Sequence, residues 1–151
     1  MKKWFLILLA MIGFSSFAGA QKFTVGAGIT SSFSDGVAFG FGVNLGVEKL
    51  VKLGKDLDID ARVDLEGTFA GGAFLFGVSV EAMVAYQIAD FGIYAGPRAT
   101  LFISPAQVFG FGALVGFRYT LSKALSLYLE SRLLFVPTFG YQLALGLRYA
   151  L

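Results

Sequence analysis

The segment LDIDARVDLE, residues 57–66, alternates at every position between an apolar side chain and a charged one. Because successive side chains of a β-strand point to opposite faces, a period of two predicts a strand with one apolar and one polar face. The following segment FLFGVSVEAMVAYQ, residues 74–87, shows a similar alternation. Both segments are long enough for a tilted strand to cross a bilayer, which takes roughly 9–11 residues.

The same period continues along the chain and predicts eight strands. They are residues 22–30, 37–48, 57–66, 74–87, 91–101, 109–120, 125–135 and 141–151. The composition is 56% hydrophobic, 16% aromatic and only 15% charged, whereas an ordinary soluble domain has about a quarter of its residues charged. A helical membrane protein is disfavoured, because the longest charge-free stretch after residue 20, residues 99–117, is interrupted by Ser104-Pro105-Ala106-Gln107.

A soluble β-sandwich would also show alternating apolar and polar residues along its strands, but the placement of the glycines favours a closed barrel. Twelve glycines lie at positions of the polar face: Gly26, Gly28, Gly40, Gly42, Gly46, Gly77, Gly92, Gly96, Gly110, Gly112, Gly116 and Gly146. An exposed sheet face gains nothing from residues that weaken strands, but a narrow barrel needs them to relieve crowding inside. We therefore predict an all-β protein, an eight-stranded antiparallel up-and-down transmembrane β-barrel with short loops on both sides.

The N-terminal segment has the pattern of a cleaved signal peptide. Lys2 and Lys3 precede an apolar run, residues 4–14, and Ala18-Gly19-Ala20 fits a cleavage site before Gln21. A transmembrane anchor would need about 20 apolar residues, and Ser15 and Ser16 interrupt this stretch. We predict a signal peptide at residues 1–20 and a barrel at residues 21–151, exported by the Sec route. An even number of strands then places both termini in the periplasm.

Charged residues of the strands fall on the polar face, which a barrel turns inward. All five arginines do so, and a charge on the lipid face would cost roughly 2–4 kcal/mol at the bilayer midplane. We predict a lumen charge network with a possible gating role, formed by Asp60, Arg62, Asp64, Glu66, Glu81, Arg98, Arg118, Glu130, Arg132 and Arg148. One interpretation is a filled, charge-paired interior. The other is a narrow passive path for ions or water, gated by the Arg–Glu and Arg–Asp pairs.

Aromatic residues of the apolar face cluster at the two ends of the predicted strands, as expected for the interfacial girdles of a membrane barrel. The predicted girdle residues are Tyr86, Tyr119 and Tyr149 at one end, and Phe39, Phe41, Phe76, Phe109 and Phe111 at the other. Phe69, Phe74 and Phe135 fall near the same end as these phenylalanines.

Residue types missing from the chain remove several classes of chemistry. The sequence has no cysteine and no histidine. Cysteine is a common nucleophile, histidine is the commonest general base, and both are frequent metal ligands. Asp56, Asp58 and Asp60 superficially match a calcium loop, but they lack its glycine and terminal glutamate, and strand alternation explains their spacing. We expect no catalytic residue, no metal, no cofactor and no nucleic-acid partner, and predict that the protein is not an enzyme.

The whole of residues 21–151 resembles the small eight-stranded outer-membrane barrels of the OmpA/OmpX type. The last six residues, GLRYAL, are similar to that family's C-terminal assembly signal, with Gly146, Tyr149 and Leu151 at the signal positions. Leu151 departs from the usual terminal phenylalanine or tryptophan. The glycine-rich, short-looped style is also similar to the small major outer-membrane barrel of Thermus-type bacteria. The resemblance implies a bacterial outer-membrane monomer in contact with membrane lipids, assembly machinery and periplasmic chaperones.

Loop lengths bear on function, since adhesion and ligand binding in small barrels use long extracellular loops. The predicted extracellular loops are short: residues 31–35, 70–72, 104–107 and 136–138, with the longest turn, residues 49–56, on the periplasmic side. Enzymatic barrels that resemble lipid A acyltransferases or deacylases rely on histidine with serine. We therefore predict a structural barrel that contributes to envelope integrity, with a narrow passive pore as the alternative and a soluble binding sandwich as a distant third.

Overall fold

The computed structural model describes residues 21–33, 37–104, 107–136 and 138–151. Residues 1–20, which hold the predicted signal peptide, lie outside the described residues. The strands are β1 (Lys22–Phe33), β2 (Val37–Lys52), β3 (Leu57–Ala70), β4 (Ala73–Ile88), β5 (Phe91–Ser104), β6 (Val108–Thr120), β7 (Leu125–Val136) and β8 (Thr138–Ala150). Within the described ranges, no helix is long and apolar enough to cross a membrane.

The eight strands form one closed antiparallel barrel in sequence order. Each strand pairs with the next along the chain, and β1 pairs with β8 from Thr24↔Ala150 to Phe33↔Tyr141. We call the end that bears Gln21, Leu151 and the turns at 53–56, 89–90 and 121–124 the terminal end, and the opposite end the distal end. The predicted fold, an eight-stranded up-and-down transmembrane barrel with short loops, is confirmed.

Burial along the strands is the reverse of that in a water-soluble protein. On β4, Val80 exposes 58% of its surface outward, while the adjacent Glu81 exposes 1%. The same contrast recurs around the barrel, with valine, leucine, isoleucine and phenylalanine outside and charged residues inside. An apolar outer wall and a closed hydrogen-bonded sheet are what a lipid environment requires, because lipid offers no partner to a free backbone group.

The strands are longer and the turns shorter than the sequence pattern predicts. At the distal end, β3 and β4 remain paired as far as Ala70↔Ala73, leaving a two-residue turn of Gly71 and Gly72 with φ of 56° and 82°. Such a primed turn needs positive φ at both positions, which glycine adopts without a steric penalty.

The predicted turn at residues 49–56 is wrong in extent. Strand β2 continues to Lys52, and its register with β3 shifts between Val47 and Val51. Lys49 in this bulge has φ of 58°, and its backbone N–H donates to Asp60 Oδ1 at 2.7 Å. A bulge inserts unpaired residues into one strand, so the period of two breaks there and the sequence pattern resembles a turn.

Inward glycines let neighbouring strands approach closely. A Cβ atom at Gly96 would overlap the backbone carbonyl of Ala82, and one at Gly112 would overlap that of Leu133. At these two positions a side chain would fit only if the backbone moved. The strong curvature of an eight-stranded barrel therefore depends on them.

Candidate functional site

All ten charged residues that the sequence predicts for the lumen are buried, each with 8% or less of its surface exposed. The structure divides them into two groups at different heights. Seven form what we call the central plug: Arg62, Asp64, Glu66, Glu81, Arg98, Glu130 and Arg132. The other three, Asp60, Arg118 and Arg148, lie toward the terminal end.

Glu130 on β7 accepts more hydrogen bonds than any other carboxylate of the central plug. Its two oxygens accept from Arg62 Nη1 at 2.5 Å and Nη2 at 2.9 Å. They also accept from Arg132 Nη2 at 2.5 Å and from the Tyr94 hydroxyl at 2.6 Å. Strand β3, which carries Arg62, is four strands away from β7 in the closed order. The Arg62–Glu130 pair therefore spans the lumen from one wall to the opposite wall.

Arg62 is also bound on its own side of the barrel. Its Nε donates to Glu81 Oε2 at 2.6 Å and lies 3.1 Å from Asp64 Oδ1. Since burial of a charge is costly unless it is paired and hydrogen-bonded, these acceptors explain how a guanidinium group fits in the barrel centre.

Arg98 and Arg132 extend the central plug toward the distal end. Arg98 Nη2 donates to Glu66 Oε2 at 2.6 Å and to Ser79 Oγ at 2.7 Å. Arg132 pairs with Glu66 through Nη1 and with Asp64 through Nη2, the latter at 3.0 Å. Glu66 thus joins arginines from β5 and β7, and the network contacts several strands at once.

The terminal group is built around Glu48 on β2. Arg118 Nη1 and Arg148 Nη1 both donate to Glu48 Oε1, the second at 3.3 Å. Arg118 Nη2 donates to Gln87 Oε1 at 3.2 Å, and its Nη1 lies 3.5 Å from Asp60 Oδ2. Asp60 belongs to this terminal group and not to the central plug.

The predicted site omits several participants, among them Glu48, Tyr94 and Tyr128. The rings of Tyr94 and Tyr128 lie 5.9 and 5.2 Å from the guanidinium carbon of Arg148, within cation–π range. The Tyr128 hydroxyl accepts from Asn44 Nδ2 at 3.3 Å. The inward position of these residues was available from the alternation, but their partners come from strands distant in sequence.

A small cavity lies beside the central plug. It measures about 10 Å³ and lies among Asn44, Asp64, Glu66, Tyr128 and Arg132, with other inner-wall residues. A single water molecule needs at least about 10–15 Å³ of such volume. A larger cavity of about 90 Å³ opens at the terminal end.

The aspartates with calcium-loop spacing are separated by the fold. Asp58 and Asp60 point into the lumen and are buried, whereas Asp56 is exposed in the turn that precedes β3. Among the described residues, no group of three or more carboxylate, histidine or cysteine side chains could hold a metal ion.

The predicted girdle residues lie at the two ends of the outer wall. Tyr86, Tyr119 and Tyr149 are 46–51% exposed near the terminal end. The phenylalanines lie near the distal end, where Phe39, Phe41, Phe109 and Phe111 are at least 55% exposed, and Phe76 is partly buried.

The three residues of the predicted assembly signal occupy the closing strand and its end. Tyr149 and Leu151 point outward, with exposures of 51% and 79%. The backbone N–H of Leu151 donates to the Phe23 carbonyl at 2.8 Å. Gly146 faces inward, where a side chain would meet the Tyr128 hydroxyl.

Comparison with known proteins gives a likeness in structure but none in sequence: no family model and no curated protein matches the chain. Neisserial surface protein A is 17% identical, with a TM-score of 0.57 over 87% of this chain and 97% of its own. The attachment invasion locus protein Ail of Yersinia pestis is 13% identical, with a TM-score of 0.59 over 87% and 97%. A major outer membrane protein of Thermus thermophilus is 18% identical, with a TM-score of 0.53 over 87% and 100%.

These likenesses show that the chain has the fold of the small eight-stranded outer-membrane barrels. The outer membrane enzyme PagL shares it as well, at 12% identity and a TM-score of 0.55 over 87% of this chain and 99% of its own. One fold thus carries a surface protein, an attachment protein and an enzyme, so function has to be argued from the lumen, the loops and the outer wall.

Proposed function

We propose that this protein is a structural barrel of a bacterial outer membrane, closed to solutes by the central plug, and that it contributes to envelope integrity. The observation that supports a closed lumen most directly is the pair of cross-lumen contacts between β3 and β7, Arg62 with Glu130 and Arg132 with Glu66. Side chains tied to opposite walls fill the space that a solute would need.

The proposal includes an orientation, with both termini in the periplasm after Sec export. It is supported by the closed, even-numbered barrel, which brings Gln21 and Leu151 to one end. We further propose that the apolar outer wall is in contact mainly with membrane lipid. The assembly machinery and periplasmic chaperones are proposed to engage the chain through Gly146, Tyr149 and Leu151, and the barrel to act as a monomer.

A structural role is favoured over adhesion or catalysis. The hairpin of β3 and β4 has a turn of only two residues, Gly71 and Gly72, which offers little surface to a partner. The chain has no histidine or cysteine. The inner hydroxyls of Ser79 and Thr100 are hydrogen-bonded to each other at 2.9 Å and receive hydrogen bonds from Arg98, an arrangement that positions a guanidinium group rather than a nucleophile.

The second candidate is a narrow passive pore for water or ions. It is favoured by the small cavity beside the plug and by buried polar atoms that find no hydrogen-bond partner within the described part of the chain. These atoms include Thr30 Oγ1 and Asn44 Oδ1, which border that cavity. Water molecules at such atoms would form the start of a path past the plug.

Planar-bilayer conductance of the purified protein separates the two candidates. Folded protein, verified by its heat-dependent gel mobility, is expected to give no discrete channels. Reproducible channels whose ion selectivity changes in Glu81→Gln or Glu130→Gln would instead establish the gated pore. The envelope role is tested by deleting the gene in its own bacterium: we expect increased sensitivity to detergents, restored by the wild-type gene, and unchanged sensitivity would refute it.

A further inference from the structure

The cavity at the terminal end has an unusual lining. It measures about 90 Å³, and the described residues that border it include five basic ones, Lys22, Lys49, Arg118, Lys123 and Arg148, against a single acidic residue, Glu48. We call this cavity with its six charged residues the terminal mouth. Its lining carries an excess of four positive charges, so an anion inside it would be attracted by every basic side chain around it.

Two of these cations belong to the barrel interior. Arg148 is 3% exposed and Arg118 is 8% exposed, and both donate to the same carboxylate oxygen, Glu48 Oε1. Among the residues that the structure describes, Arg148 Nε and Nη2 have no hydrogen-bond partner, and Nη2 forms an ion pair with Glu130 Oε1 of the central plug at 3.7 Å. A buried guanidinium group with unmet donors is costly unless an acceptor is supplied.

The rim is shaped by the bulge in β2. Lys49 adopts a φ of 58°, an uncommon conformation for a residue other than glycine. Asp60 Oδ1 accepts the backbone N–H of Lys49 at 2.7 Å and so holds the bulge in place. The consequence is that Lys49 borders the terminal mouth, with Lys22 from β1 and Lys123 from the β6–β7 turn.

The lysines after residue 20 are confined to one end of the barrel. All five lysines after residue 20 lie at the terminal end: Lys22, Lys49, Lys52, Lys55 and Lys123. The four segments around the distal end, residues 31–39, 67–76, 102–111 and 134–142, contain neither lysine nor arginine. An anionic ligand is therefore attracted to the terminal mouth and not to the opposite opening.

We propose that the terminal mouth binds a single phosphate group. Guanidinium groups supply paired donors that match phosphate oxygens, and lysines add point charges around them. The volume of about 90 Å³ accommodates one small oxyanion. The same chemistry is offered by free inorganic phosphate and by the headgroup phosphate of an anionic phospholipid, which would enter from the membrane surface at the terminal end.

The test measures binding to the purified protein in a maltoside detergent, which carries no phosphate. Inorganic phosphate is titrated calorimetrically in one arm, and phosphatidylglycerol in mixed micelles in the other, with diacylglycerol, which carries no phosphate and no charge, as the reference lipid. The variant is Lys49→Gln/Lys123→Gln, which removes two rim charges and leaves the buried arginines intact. Lys52→Gln/Lys55→Gln is the matched control, because these two exposed lysines lie at the same end but outside the terminal mouth.

Saturable binding of inorganic phosphate that weakens about thirtyfold in Lys49→Gln/Lys123→Gln and not in Lys52→Gln/Lys55→Gln would support the proposal with free phosphate as the source. The same dependence seen only with phosphatidylglycerol would support it with a lipid headgroup as the source. Absence of binding in both arms would overturn the proposal. An equal loss of affinity in Lys52→Gln/Lys55→Gln would also overturn it, because that result would show diffuse attraction to a basic surface rather than a site. Neither result depends on whether the lumen conducts.

Discussion

Arg62 on β3 and Glu130 on β7 meet across the full width of the barrel, with Nη2 and Oε2 2.9 Å apart and both side chains at most 2% exposed. The two residues are 68 positions apart in the chain. Their contact joins walls that share no backbone hydrogen bonds within the described strands, so it braces the barrel across its axis in addition to closing the lumen.

The first prediction concerns the charge of Glu130. Glu130→Gln keeps the shape of the side chain but leaves Arg62 and Arg132 without their shared carboxylate. We expect the free energy of unfolding in lipid vesicles to fall by about 3–5 kcal/mol, the usual cost of breaking a buried ion pair. Urea denaturation followed by far-ultraviolet circular dichroism measures it, because the one tryptophan, Trp4, lies in the predicted signal peptide.

The control for Glu130→Gln is Asp56→Asn, the same chemical change at an exposed turn, for which we expect a change within about 0.5 kcal/mol. A double-mutant cycle with Arg62→Met then isolates the pair. A coupling energy below about 0.5 kcal/mol would contradict a direct cross-lumen contact.

The strand number and the inward face were predictable from the sequence, because alternation is a local property that each strand carries by itself. The ends of the strands were harder to predict. The bulge at Lys49 interrupts the period of two, and the sequence pattern there cannot be distinguished from a turn. Strands β3 and β4 also stay paired up to the turn at Gly71 and Gly72, beyond Glu66, where the alternation of apolar and charged residues in β3 ends.

The partners inside the lumen could not be read from the sequence, since they depend on how side chains from opposite walls meet after closure. Glu66 pairs with Arg98 on β5 and Arg132 on β7. The sequence around Glu66 does not indicate that these arginines, rather than Arg118, are its partners. Tyr94 and Tyr128 carry no charge, so a search for charged residues passes over them although they lie on the inner face.

The second prediction concerns the hydroxyl of Tyr94, which donates to Glu130 Oε1 at 2.6 Å. Tyr94→Phe removes one donor from a buried carboxylate, and we expect the barrel to lose about 1.5–3 kcal/mol in the same urea assay. Tyr86→Phe is the matched control, because Tyr86 lies on the outer wall and is 46% exposed. Equal effects of the two substitutions would mean that the Tyr94 hydroxyl contributes no specific hydrogen bond.

The third prediction concerns the close approach of β6 and β7. Gly112→Ala would place a methyl group on the Leu133 carbonyl oxygen, so the strands must separate locally. We expect a loss of about 1–3 kcal/mol, typical of overpacking. At Gly140 on neighbouring β8, the nearest atom to an added Cβ lies 3.7 Å away, so Gly140→Ala is expected to be tolerated. A Gly112→Ala barrel as stable as Gly140→Ala would refute the steric argument.

The last prediction tests the outer wall. Leu145 on β8 is 43% exposed and pairs with Ile29 and Leu129 in the adjoining strands, far from either end of its own strand. Leu145→Arg would place a charge against hydrocarbon, and we expect it to cost about 2–4 kcal/mol in lipid vesicles. Leu53→Arg, in the turn at the terminal end, should cost only about 0–1 kcal/mol because the headgroup region solvates the charge. Since both substitutions replace an exposed leucine, a difference between them measures depth in the membrane rather than packing, and equal costs would contradict the assignment of this wall to lipid.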